Sequence, residues 1–273
     1  MALGDLGKNI SGALVNTIKG AGDVVEATTE VTRKNLVGVL KATGDVGKEA
    51  SGLAVDAVSG AIHAADKTGT GVASIAKGAV IGTIKGVGEV TTVTVGVVSD
   101  TVRAAIKGTG EIGGDVASVA QSAAEGAIAT SKSLSMNLGE AAFSISKGAI
   151  KGTKEVGGDL ADIAKGTILG TIKGTKEIGG DLTQAIQKSA QGLIKGTAEV
   201  GGDLGDVARS TVEGAIEGAK SVGLAAEDAA SAAATGAVEA AGEISESAVK
   251  TVTAAVSTTI SGVKVVLKTP FKK

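Results

Sequence analysis

The feature that most restricts this chain is a 22-residue repeat that runs through it without an inserted or deleted residue. Residues 151–160 read KGTKEVGGDL and residues 173–182 read KGTKEIGGDL. Stepping by 22 from EVGGDL at 155–160 reaches EIGGDL at 177, EVGGDL at 199, SVGLAA at 221 and EISESA at 243. In the other direction it reaches SLSMNL at 133, EIGGDV at 111, EVTTVT at 89, KTGTGV at 67, DVGKEA at 45, DVVEAT at 23 and MALGDL at 1. Twelve repeats fill residues 1–264, and a basic tail, 265–273, follows. A period of this kind is looked for before any domain count, because it replaces the globular reading.

Twenty-two residues over six turns is the hendecad period, so the repeat predicts helix. One column reads Ile18, Leu40, Ile62, Ile84, Ile106, Ile128, Ile150, Ile172, Ile194, Ile216, Val238 and Ile260, a branched aliphatic each time. It lies within an apolar arc of Val, Ile, Leu, Ala, Thr and Gly that covers nearly half the helix, with most charges opposite. The expected fold is all-α: a long, largely continuous amphipathic helix, ordered by lateral assembly or by a lipid surface. GG-D also looks like a helix end followed by an N-cap. A zigzag of 19-residue helices joined there is the alternative. Three boundaries, Val24–Thr28, Val90–Thr94 and Ile244–Ala248, carry no such breaker, and this favours continuity. Uninterrupted, the helix would span roughly 410 Å at 1.5 Å per residue.

Composition narrows what such a helix does. Two Phe, no Trp and no Tyr leave little to fill a large three-dimensional core, whereas 43% hydrophobic residues are too many for simple disorder. With so much Gly, Thr and Val the helix needs a surface or neighbours to form. Glycines four apart, at Gly82–Gly86, Gly148–Gly152, Gly166–Gly170–Gly174, Gly192–Gly196 and Gly214–Gly218, suit close helix–helix packing. The borders of the arc differ in charge: Lys132, Lys154, Lys176 and Lys220 on one, Asp115, Asp159, Asp181 and Asp203 on the other. Parallel neighbours would bring these unlike edges together, which predicts a homo-oligomer of helices side by side. Solvated flanks without a lateral role are the plainer reading.

No residue constellation points to catalysis, a cofactor or a metal. Cysteine is absent and His63 is the only histidine, on a stripe otherwise occupied by lysines. Gly108–Gly113 matches GxGxxG, but no strand precedes it and the repeat itself generates the match. Phe143 and Met136 read as local packing variants. A net charge of −2, with no basic and aromatic clustering, gives no case for nucleic acid. No apolar run is long enough to span a bilayer and no signal segment is read, so the expected location is cytoplasmic, with a peripheral place on a membrane or lipid body as its variant.

At KGTKEV (151–156), KGTILGTIKGTKEI (165–178) and KGTAEV (195–200) the chain resembles the lipid-surface repeats of synucleins and perilipins. The resemblance is one of period and composition and implies a long helix lying on a lipid surface. Here the polar face mixes acids with lysines, so attraction to anionic lipid should be weaker. The expected function is a non-enzymatic coat or self-assembled scaffold at a lipid surface. Its alternative is a soluble filament, ring or tube, with lipophilic molecules as possible contents. A desiccation protectant shares the period but is usually more polar than this chain.

Overall fold

The computed structural model describes residues 3–18, 20–43 and 46–267. Among them are twelve α-helices: α1 (Asp5–Ile18), α2 (Val24–Ala42), α3 (Val46–Thr68), α4 (Val72–Val90), α5 (Val95–Glu111), α6 (Val116–Ser131), α7 (Leu138–Val156), α8 (Leu160–Glu177), α9 (Leu182–Glu199), α10 (Leu204–Val222), α11 (Ala226–Gly242) and α12 (Glu246–Val256). A short antiparallel hairpin, β1 (Thr259–Ile260) and β2 (Val263–Lys264), follows. The chain is all-α but not one continuous helix. It turns back at every repeat boundary.

The GGD sequence makes the turn. At the end of α7, Gly157 adopts φ 69°, a left-handed conformation that a side chain disfavours. The Gly158 amide reaches back to the Thr153 carbonyl at 3.1 Å, the long bond of a Schellman end. Asp159 then accepts from the amides of Ala161 and Asp162 and starts α8. The same three steps recur at Gly113, Gly179 and Gly201, with Asp115, Asp181 and Asp203 as caps. Boundaries without GG also turn. Thr94 caps α5, Ser245 caps α12 and Asp23 caps α2. Thr94 and Ser245 do with a hydroxyl what Asp23 and the other aspartates do with a carboxylate, so the missing glycine pairs did not signal continuity.

Folding back wins because of burial. A straight helix would leave its apolar arc in water, whereas each buried Ile is worth roughly 1.5–3 kcal/mol. That exceeds the ~1 kcal/mol a glycine costs a helix. Odd-numbered helices pack on odd ones two places away, even on even, and consecutive helices pack across. The result is two layers of parallel helices, a helical solenoid. The aliphatic column lies between the layers: Ile62, Ile84, Ile106, Ile128, Ile150, Ile172 and Ile194 are fully buried, Val238 only partly. Several threonines share the core by bonding back one turn, as Thr109 does to the Ala105 carbonyl at 2.8 Å and Thr153 to the Ala149 carbonyl at 2.9 Å.

The two ends are finished differently. α12 has only 11 residues, and the hairpin takes over, β1 on α10 and β2 on α11, burying Ile260 and Val265. At the other end α1 turns Asp5, Lys8, Asn9, Gly12 and Asn16 to solvent, a polar outer face of the kind that closes repeat arrays.

Candidate functional site

The features that bind one helix to another are the molecule's candidate interaction elements, and they begin with glycine. Gly166 sits where a Cβ would lie 2.6 Å from the Ala117 carbonyl of α6, two helices back. Gly174 stands likewise 2.6 Å from the Glu125 carbonyl, and Gly152 of α7 is 2.7 Å from that of Arg103 on α5. Gly148, Gly170 and Gly192 are tighter still, against the carbonyls of Ser99, Gln121 and Phe143. Gly82 and Gly86 face Thr29 and Arg33 of α2, Gly196 faces Ile150, and Gly214 and Gly218 face Ile168 and Ile172. Each of these glycines therefore meets the helix two places earlier in the same layer. Gly60, Gly78, Gly126 and Gly236 do the same without belonging to the glycine pairs read from the sequence.

Charge bridges the same neighbours, though not through the residues the sequence suggested. Asp115, Asp159, Asp181 and Asp203 accept from amides of their own helices as N-caps. Lys154, Lys176 and Lys220 lie in last turns, where a cation suits the helix dipole. Lys132 donates to the Ile178 carbonyl at 2.8 Å. The lateral pairs are instead Arg33–Glu89, Lys77–Glu125, Arg103–Glu155, Lys147–Glu199, Lys165–Glu217 and Lys195–Glu243, all between helices two places apart. The signal was available: Glu heads the EVGGDL motif at 155 and 199, and a base lies 52 residues before each. Reading it required knowing that the chain returns to the same layer every second helix.

Most of these pairs are partly exposed and individually weak, Lys77–Glu125 being the most buried of them. Burial pushes the Glu199 carboxyl up, but hydrogen bonds from Lys147 and Lys151 outweigh it and hold the group below its usual value. Glu177 is the opposite case: burial and the neighbouring Glu125 raise it against the pull of Lys77. Glu217 raises the Lys165 ammonium.

The remaining candidates sit in ordinary places. His63 lies on α3 with Nδ1 3.0 Å from the Ser59 carbonyl. Gly108–Gly113 is the C-terminal end of α5 and its turn, not a loop opening a helix. Phe143 carries Lys195 Nζ 5.6 Å from its ring centre, and Met136 packs on the core. In the basic tail Val265 is buried, while residues 268–273, Phe271 included, lie outside the described residues. No helix among the described residues is long and apolar enough to cross a membrane. No family model matches this chain, and no curated protein matches it.

Proposed function

We propose that this is a non-enzymatic structural protein, a helical scaffold that satisfies its amphipathic faces within one chain and presents two charged outer surfaces. One observation carries the reading. The aliphatic column and the glycine ridges are used up between the protein's own helices, and the only large apolar side chains exposed among the described residues are Val95, Ile244 and Val266. On this reading neither lipid nor a second copy is needed to cover the arc. Homo-oligomers then form through the outer charged surfaces, and the cytoplasm is the expected location.

A lipid coat is the second reading, favoured by the make-up of the core. Alanine is the commonest residue in it beside the isoleucines, and six buried hydroxyls among the described residues lack a hydrogen-bond partner. Exchanging helix contacts for lipid contacts would therefore cost less than in a tightly packed core, with the Gly-Asp turns as hinges. Carriage of lipophilic molecules belongs to the same reading and needs the layers to part.

Circular dichroism of dilute protein, with and without neutral lipid vesicles, separates the two. A scaffold is helical without lipid, melts cooperatively and keeps its spectrum when vesicles are added. Low helicity that rises sharply with vesicles would overturn the scaffold and establish the coat.

A further inference from the structure

The two ends of the solenoid differ in a way that assigns them different stabilities, and this holds whichever functional reading is correct. We infer that the α1–α2 hairpin undocks as a unit from α3 and α4 while the rest of the molecule stays folded.

Three observations meet there. First, of the six partnerless buried hydroxyls, Ser11 lies in α1 and Thr28 and Thr32 in α2, both against α4 glycines, with Thr83 in α4 itself. Each is a group that water would satisfy and the docked state does not. Thr167 and Thr175 of α8 are also partnerless, but α8 is held between α6 and α10, so wetting them means opening the middle of the array. Second, α2 buries only Thr28, Thr32, Leu36 and Leu40, whereas α9 buries Ile186, Leu193 and Ile194 together with Ala185, Ala190, Ser189, Thr197 and two glycines. Third, the start of α1 hangs on a single side chain of α3. Asp56 accepts from the Gly4 amide at 2.7 Å and the Gly7 amide at 2.8 Å. Beside it Leu3, Leu6, Val39 and Leu53 line an open groove of ≈ 540 Å³, so this corner is incompletely filled.

Among the described helices the α1–α2 hairpin packs on α3 and α4 only. Releasing it breaks the α1·α3, α2·α4 and α2·α3 interfaces and leaves those from α3 onward intact, whereas an interior hairpin such as α7–α8 must break twice as many. The opposite end lacks this freedom, because β1 and β2 strap α10 and α11. Undocking uncovers Gly60 on α3 and Gly78, Gly82 and Gly86 on α4, a ridge shaped like every interior one.

Native-state hydrogen exchange with peptide-level mass spectrometry reads this directly on the full chain. Amides of α1 and α2 should exchange at least about tenfold faster than those of α7–α10, and faster than those of α11. The double variant Thr28→Val/Thr32→Val, which keeps shape and removes two unsatisfied hydroxyls, should slow exchange in α1–α2 about tenfold and leave α7–α10 unchanged. Asp56→Ala should speed exchange in α1 and α2 together; a rise confined to α1 overturns undocking as a unit. Equal protection in α1–α2 and α7–α10 in the unmodified chain overturns the inference. So does a Thr-to-Val effect that spreads evenly over all helices.

Discussion

α2 and the six helices from α6 to α11 are built from the same repeat, yet α2 starts one helical turn earlier in it. Helices α6–α11 begin at Val116, Leu138, Leu160, Leu182, Leu204 and Ala226, 22 residues apart, with Asp caps at 115, 159, 181 and 203. α2 begins at Val24 behind Asp23, four residues earlier in the repeat than α8 behind Asp159. α3, the longest helix at 23 residues, absorbs the difference. Lateral contacts follow the helix ends, not the repeat. Gly82 faces Thr29, 53 residues back, while Gly170 faces Gln121, 49 residues back. Counted from the helix starts the two contacts are the same. Arg33–Glu89 and Arg103–Glu155 differ by the same four residues. The comparison teaches that Gly-Asp placement decides where the chain turns, and the turns decide which residues meet.

The largest expected effect comes from the glycines. Gly148→Val puts a branched side chain into the Ser99 carbonyl and should destabilise by about 3 kcal/mol or more, measured by urea unfolding. Gly38 on α2 has nothing within 4 Å, and Gly38→Ala should instead stabilise by about 0.5–1 kcal/mol. Equal effects at the two sites would erase the contrast between interior and end.

Next is the turn itself. Moving Gly-Asp four residues on, by Gly22→Ala, Asp23→Ala, Glu26→Gly and Ala27→Asp, should start α2 one turn later and place Arg33 opposite Gly82. The slide should separate Arg33 from Glu89, and altered glycine placement and capping together should cost about 2 kcal/mol. A crystal structure of the variant that still shows Thr29 opposite Gly82 would break the rule. Below that lies a single cap: Asp181→Ala should lose about 1 kcal/mol, by the same unfolding assay, without moving any contact.

Much of this was legible in advance. The column from Ile18 to Ile260 marked the buried stripe, and glycines four apart marked close packing. Continuity was misjudged for a physical reason. GG-D is a complete stop-and-start signal, but the boundaries that lack it use Thr94 and Ser245, which read equally well as helix interior. Within the chain the lateral ion pairs use other residues, because Asp159 and its equivalents, which look like a charged edge on a straight helix, are occupied at the turns. Only in a broken helix are they caps. The Lys147–Glu199 spacing has no meaning until the layer topology is known.

The smallest expected effects are electrostatic and have opposite signs. Glu199 is held below its unfolded value, so its ion pairs stabilise above about pH 4.3 and that contribution fades as pH falls through the lower folded value. Glu199→Gln should therefore cost well under ~1 kcal/mol at pH 7 and nothing in strong acid. Glu177 is raised, so folding favours its protonated form, and stability is lost as pH rises through the raised value. Glu177→Gln should stabilise slightly at pH 7, and the gain should vanish below about pH 4. Thermal melts across that range check both signs.

Small-angle X-ray scattering of dilute, lipid-free protein tests the folded-back architecture most directly. Six helices per layer at 8–10 Å spacing give a compact particle with a longest dimension of roughly 50–60 Å. A rod hundreds of ångströms long, approaching the roughly 410 Å of an unbroken helix, would contradict it.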